Sequence, residues 1–336
     1  MQPLTALQEL LASPKRIAIT VHQRPDADAL GSALALAALL KKQGHTTSVL
    51  APTGYPDFLR WMPEQADVLV YANGHQRACE LRLQEADVIF CLDFPTLNRL
   101  NEMGPLVQQA KAIKVVIDHH PTSESFGDWV FRDVSAAATA ELLYVLIESM
   151  QLIHCVDKDI AECLYAGLMT DTGSFKHSNT TAQTHTVAAH LIRHGADTAK
   201  VSTRIYDENS LSKIQFLGFA LSQRLVVRRA YRTAYFTVHA QDYQQYKLIT
   251  GDTEGLVNYA LSIQGIAFAA AIKEKTGAVR LSLRSQGEIP THLWAKEYFS
   301  GGGHRNASGG TSYASLADTV ARFEQLLQDK QSILSS

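Results

Sequence analysis

The chain has 336 residues, 46% of them hydrophobic and 19% charged, which is enough apolar material for two ordinary domains and excludes a chain dominated by disorder. Basic residues number 31 against 33 acidic ones, so the net charge of −2 excludes the basic footprint that long duplex nucleic acid requires, though not a pocket for a short phosphorylated ligand. No run approaches the roughly 18 continuous apolar residues of a membrane span, and the start MQPLTALQELLASPKR lacks a secretory pattern. The four cysteines (Cys79, Cys91, Cys155, Cys163) form no CxxC pair and are expected to be reduced thiols of a cytoplasmic protein.

In chain order, Arg16–Val21 (RIAITV) reads as a buried strand, followed by the polar loop HQRPDAD and an alanine- and leucine-rich helix over Ala27–Gln43 that Gly44 closes. Val88–Leu92 (VIFCL) and Lys114–Ile117 (KVVI) are further apolar strands, ending abruptly at Asp93 and Asp118. Ala136–Met150 and Asp159–Met169 read as helices. Apolar strands alternating with helices predict an α/β fold with an N-terminal parallel sheet covered by helices on both faces. Ala196–Arg224 carries Leu211, Ile214, Leu217 and Leu221 at helical spacing and reads as a helical connector. The expected organisation is therefore 1–195 for the first domain, 196–225 for the connector and 226–336 for a smaller α/β domain. In the latter, Tyr235–His239 reads as a strand and Asp242–Thr250 as a helix. Ile266–Lys273 and Ala278–Ser285 read as a hairpin turning at Thr276-Gly277.

Four aspartate-bearing segments carry the chemistry: His22-Gln-Arg-Pro-Asp26-Ala-Asp28, Asp93, Asp118-His119-His120, and Asp171 within LMTDTGSF. Each alone has an ordinary reading, as a helix cap, a turn, a surface pair or a helix end. Strand ends of a parallel sheet lie side by side, however, so together these segments bring about five carboxylates and three imidazoles into one crevice. Without cations, such charges repel one another and drive up their own pKa values. Bound divalent metal resolves the conflict. Carboxylates and imidazoles without thiolate suit Mn²⁺, Mg²⁺ or a related first-row ion, and so many donors suit two ions, the usual device for attacking phosphate esters.

The ordered set HQRPDAD, LDF, DHH and TDTGSF resembles the DHH phosphoesterase family. The run Gly301-Gly-Gly-His304-Arg-Asn-Ala-Ser-Gly-Gly310 resembles the signature of the DHH-associated C-terminal domain, with Ser308 where relatives usually carry alanine. Together they are similar to the nanoRNase/pAp-phosphatase branch, which shares a fold with RecJ exonucleases. The resemblance spans nearly the whole chain. It implies that His22, Asp26 and Asp93 hold one metal, and that Asp28, Asp93, His119 and Asp171 hold the other, with Asp93 bridging. It also implies that His120 faces the substrate phosphate or leaving group while Asp118 orients a neighbouring histidine.

The glycine run has its own physical reading. Consecutive glycines let backbone N–H groups converge on an anion, and His304 and Arg305 add donors beside Gly302 and Gly303. The strand Val279–Arg284 alternates so that Arg280, Ser282 and Arg284 share one face, which suits a terminal phosphate. The arginines at 224, 228, 229 and 232 read as charged surface, and His154, His185, His190 and His194 as ordinary surface or core histidines. Phe175 is open to either base stacking or core packing. The implied substrates are very short oligoribonucleotides, cleaved to mononucleotides, and 3′-phosphoadenosine 5′-phosphate, cleaved to AMP. The rival readings are a linear or cyclic dinucleotide phosphodiesterase, a pyrophosphatase or exopolyphosphatase, and a catalytically inactive nucleotide-binding module. No membrane partner is expected, and oligomerisation is left open.

Overall fold

A computed structural model describes residues 3–121 and 124–334 and divides the chain between Glu208 and Asn209 into two units. In the first, α1 (Pro3–Leu11) precedes β1 (Arg16–Val21), α2 (Ala27–Lys42), β2 (Thr46–Ala51), β3 (Leu69–Val70), α3 (Gln76–Glu85), β4 (Val88–Leu92), α4 (Met103–Gln109), β5 (Ile113–Asp118) and β6 (Trp129–Arg132). The six strands are parallel, in the order β3-β2-β1-β4-β5-β6. All five residues of β4 are buried, because one face meets a cluster containing Leu30 and Leu36 of α2, and the other meets Cys79, Leu83, Met103 and Val107. Covering on both faces is why these strands read as continuous apolar runs.

The strand order places the chemistry. β1 pairs with β2 on one side and β4 on the other, so the chain direction across the sheet reverses there, and a crevice opens at the carboxyl ends. Val21 pairs with Leu92, and Leu92 with Ile117, so His22, Asp93 and Asp118 emerge beside one another.

Behind this edge lie α5 (Thr139–Ser149), α6 (Lys158–Asp171), α7 (Ala182–Arg193) and α8 (Thr198–Ser202). Asp26 caps α2 by accepting from the amides of Asp28 and Ala29, and Asp157 caps α6 by accepting from that of Ile160. Gly167 lets α6 approach closely: a Cβ there would lie 2.8 Å from Asp28 Oδ1 and 3.0 Å from the Ala140 methyl. The helix expected from 136 begins at Thr139 instead, with Ala138 extended. No described helix is long and apolar enough to cross a membrane.

The second unit contains α9 (Leu211–Phe219), β7 (Leu225–Arg228), β8 (Thr233–Val238), α10 (Ala240–Gln245), α11 (Leu256–Leu261), β9 (Phe268–Lys275), β10 (Ala278–Ser285), α12 (Thr291–Tyr298), β11 (Gly302–His304), β12 (Ala307–Ser312), α13 (Leu316–Asp329) and α14 (Gln331–Leu334). Its sheet runs β11-β12-β10-β9-β8-β7, and only β8 and β9 are parallel. One face packs on Trp294, Phe323 and Leu327, the other on Phe216 and Leu256. The hairpin turns at Thr276-Gly277 as expected, with Gly277 left-handed at φ +77°.

Residues 196–224 do not form one helix. α8 runs into a π-helical turn over Thr203–Asp207, Ser210 caps a new helix, and a second π-helical turn spans Ala220–Arg224. The helix expected over 242–250 occupies Ala240–Gln245, where the Asp242 carboxylate accepts from the His239 amide and is buried against Arg224.

Candidate metal centre

His22 and Asp93 follow directly from the ends of β1 and β4, Asp118 ends β5, and Asp26 and Asp28 open α2. His119 follows Asp118, and Asp171 closes α6. The fold brings these distant segments together in overlapping donor groups, two of which divide the six expected ligands between them. One nitrogen or oxygen from each of His22, Asp26 and Asp93 lies within 4.8 Å of the others, and so it is for Asp28, His119 and Asp171. Asp93 stands between them: its Oδ2 is 3.5 Å from His22 Nε2, and its Oδ1 is 3.5 Å from His119 Nε2.

Both imidazoles are fixed by backbone carbonyls. His22 Nδ1 donates to the Gln23 carbonyl at 2.8 Å, and His119 Nδ1 to the Ala136 carbonyl at 3.3 Å. With Nδ1 so engaged, each ring turns Nε2 toward carboxylates. His22 Nε2 is 3.8 Å from Asp26, and His119 Nε2 is 3.4 Å from Asp171 and 3.9 Å from Asp28. These separations exceed a good hydrogen bond, and nitrogens facing so many carboxylates call for a positive charge, a proton or a cation, between them.

The electrostatics point the same way. Burial, then the charges of Asp93 and Asp26, push the Asp28 carboxyl well above its ordinary value, against the amides of Ala140 and Thr139 that favour its charge. Burial would also raise Asp93, but His22, His120 and His119 outweigh it and hold that carboxyl well below the usual range. For His22, burial is outweighed by Asp93 and Asp26, so its pKa is raised. Asp118 Oδ2 is buried without a hydrogen-bond partner, a further vacancy in the polar accounting. Buried donors this mutually unfavourable fit divalent cations, and the thiols stand apart: burial pushes Cys91 up to about 12 and Cys79 up to about 11.

Part of the backbone here is left-handed. Asp93 itself is left-handed at φ +63°, and Gly173, Ser174 and Phe175 after Asp171 form a left-handed run at +55°, +60° and +63°. A non-glycine residue in this region costs about 1–2 kcal/mol, aspartate less than most, so the surrounding packing must impose it. Thr172 helps, its hydroxyl accepting from the Phe175 amide at 3.1 Å. Phe175 is half-buried, packing against Tyr165 at the edge of the core and stacking on the exposed His185 with ring centroids 5.3 Å apart.

Asp118 accepts from His120 Nδ1 at 2.7 Å, leaving Nε2 as the outward nitrogen. Burial would depress His120, but Asp118 and Asp93 outweigh it and raise its pKa. Arg132 of β6 donates to the His120 carbonyl at 2.8 Å and to that of Pro121.

The motif reading missed Thr139 and Ala140. Their amides donate to the two oxygens of Asp28 at 2.7 and 2.8 Å, so the first turn of α5 is capped by a residue 111 positions earlier. Nothing local in the sequence signals such a cap.

In the second unit, Arg280, Ser282 and Arg284 do alternate with buried Val279, Leu281 and Leu283. Arg280 donates to Thr311 Oγ1, Lys273 donates to Ser282, and Arg284 donates to the Leu283 carbonyl. Arg305 is paired with Glu288. The glycine run is not an open loop: Gly302, Gly303 and His304 form β11 and pair with β12. Gly303, at φ +138°, would place a Cβ 2.7 Å from the Ala307 carbonyl oxygen, so close backbone approach is what demands glycine.

A family model described as "DHH family, N-terminal domain" matches residues 16–168, and one described as "DHHA1 domain" matches 233–332. The bifunctional oligoribonuclease and PAP phosphatase NrnA of Thermus thermophilus is 29% identical, over 88% of this chain and 83% of that protein. The cyclic-di-AMP phosphodiesterase GdpP of Geobacillus thermodenitrificans is 28% identical over 96% of this chain, but only 48% of its own length is covered. Among solved structures, an exopolyphosphatase-related protein from Bacteroides fragilis is 34% identical with a TM-score of 0.94, covering 99% of this chain and 98% of that one. With two family models lying on either side of the 208/209 division and a relative this similar along its whole length, the chain belongs to the DHH family of phosphoesterases and carries a DHHA1 domain.

Proposed function

We propose that this chain is a Mn²⁺-dependent phosphoesterase that cleaves very short oligoribonucleotides to mononucleotides and 3′-phosphoadenosine 5′-phosphate to AMP. The observation that carries the reading is the placement of Asp93 between two donor groups, 3.5 Å from His22 on one side and 3.5 Å from His119 on the other. His22, Asp26 and Asp93 would hold one ion; Asp28, Asp93, His119 and Asp171 would hold the second. Two such cations supply a hydroxide at neutral pH and neutralise charge developing on the phosphate.

The chain's own groups do the rest. The Gln23 and Ala136 carbonyls fix the tautomers of His22 and His119. His120, with Nδ1 bonded to Asp118 and a raised pKa, holds a proton at Nε2 for a phosphate oxygen or the leaving oxygen. The near-neutral net charge fits a short ligand gripped locally. For that grip the reading assigns Arg280, Ser282, Arg284, Gly302, Gly303, His304 and Arg305. Replacing Arg284 by alanine is expected to raise KM about tenfold with kcat changed less than about threefold, the pattern of a group binding ground and transition states alike. An unchanged KM in steady-state assays removes Arg284 from the substrate site.

The test is a hydrolysis panel with Mn²⁺, comparing a dinucleotide, a five-residue RNA, phosphoadenosine phosphate, cyclic di-AMP and pyrophosphate. Preferred turnover of the dinucleotide and of phosphoadenosine phosphate is expected. The similarity to a cyclic-di-AMP phosphodiesterase over 96% of this chain favours a second reading. Faster cleavage of the cyclic dinucleotide would establish it in place of the first.

A further inference from the structure

We infer that Thr139 is the positioning residue of the centre, its hydroxyl setting the orientation in which Asp93 is shared between the two donor groups. This rests on the two-cation reading above and adds a residue that the ordered motifs do not include.

Thr139 is fully buried at the first position of α5. A threonine at the cap position of a helix ordinarily turns its hydroxyl back onto a backbone amide of the first turn, but Thr139 stands one place later, as the first helical residue. The cap position is taken by Ala138, which has no side-chain oxygen, and the amides of Thr139 and Ala140 are satisfied by Asp28. The Thr139 hydroxyl donates instead to Asp93 Oδ1 at 2.9 Å.

That bond falls on the oxygen whose direction matters. Asp93 Oδ1 faces His119 and Oδ2 faces His22. Rotation of the carboxylate about its last torsion is soft, since such torsions have broad minima. The imidazoles of His22 and His119 approach Asp93 with Nε2 at 3.5 Å, the nitrogen that would carry a cation in place of a proton, so with metal bound they would not orient the carboxylate by donating to it. Thr139 supplies a directional donor, buried and without water to compete. It also joins two of the ligands: its amide holds Asp28 while its hydroxyl holds Asp93, so one residue sets the separation of two carboxylates on the His119 side. Partners of this kind, one bond removed from the ion, typically change metal affinity 10–100-fold when removed.

The test is calorimetric titration of Mn²⁺ into the metal-stripped full chain, with electron paramagnetic resonance of the loaded protein to read spin coupling between neighbouring Mn²⁺ ions. Thr139→Val keeps the volume and the amide but removes the hydroxyl; Thr139→Ser keeps the hydroxyl. The valine variant should weaken one of the two binding events about 10–100-fold and lower the coupled fraction, while the serine variant stays within about threefold of the parent. Thr139→Ala serves in place of the valine if that variant does not fold by circular dichroism. Parent-like affinity and coupling in the hydroxyl-free variant overturn the inference, as does a serine variant impaired equally, which would assign the effect to the methyl group. A parent chain that takes up no Mn²⁺ fails the two-cation reading itself, and that result is read before any variant is made.

Discussion

Replacing Asp93 by asparagine is expected to lower Mn²⁺-dependent turnover by at least about 10³-fold while the chain still unfolds cooperatively. The size follows from what is lost. Asp93 is the one carboxylate within 3.5 Å of imidazoles in both donor groups, so the substitution removes a full charge from each at once. Losing the equivalent of about 4 kcal/mol of transition-state stabilisation corresponds to about a thousandfold in rate. Asparagine keeps the shape, can still accept from Thr139, and tolerates the left-handed backbone nearly as well as aspartate. Folding should therefore survive, because β1, β4 and β5 are held by apolar contacts on both faces that do not involve this side chain. The measurement pairs single-turnover hydrolysis with urea unfolding. Turnover within tenfold of the parent would remove Asp93 from its shared position, and loss of the unfolding transition would show it to be structural first.

Much of this site was legible in the chain because parallel strands advertise themselves. RIAITV, VIFCL and KVVI are apolar along nearly their whole length since both faces of the sheet are covered, and each ends where a polar residue of the candidate site begins. Register does the remainder: pairing Val21 with Leu92 and Leu92 with Ile117 brings three separate motifs to one edge. What escaped was every contact whose partner lies far away without a pattern to mark it. Asp28 reads locally as a first-turn acid of α2, yet its carboxylate caps α5, more than a hundred residues on. Thr139 carries no motif, and its role exists only once the fold has brought Asp93 beside it. The stretch expected to be helical is helical, but in pieces rather than as one rod. Periodic leucines at 211, 217 and 221 fit one helix, but the capping serine at 210 and two π-helical turns are set by local hydrogen-bond competition that apolar spacing does not record. The glycine run likewise reads as a loop because glycine marks freedom, whereas Gly303 is required by the closeness of β12.

Metal binding should strengthen as the pH rises, and the metal-free fold should weaken over the same range. Without cations the Asp28 carboxyl is pushed well above its ordinary value, chiefly by burial and then by Asp93 and Asp26, while His22 and His120 are raised by the carboxylates around them, which outweigh burial. Asp28 and His22 ligate only after losing those protons, so each competes with the ion at a pH below its own raised value. Mn²⁺ affinity is expected to fall about tenfold per pH unit for each proton displaced, and to level off above those values. The sign for stability follows from the same shifts. A folded Asp28 retains a proton that the unfolded chain has released above about pH 4, and the raised histidines retain theirs beyond about pH 6.5. The folded state then binds more protons than the unfolded one, so metal-free stability declines from about pH 5 upward. Asp93 acts oppositely but in a separate window: its carboxyl is held low, and its contribution is lost only as the pH falls below about 4. Urea unfolding between pH 5 and 9, with and without Mn²⁺, reads both effects, and calorimetry in buffers of differing ionisation enthalpy counts the protons released. The cation should abolish the decline, because it replaces the protons as the positive charge among these carboxylates. A metal-free stability that is flat with pH, together with Mn²⁺ uptake that releases no proton, would show that the donors are not mutually destabilised and that this cluster is not the cation-binding centre.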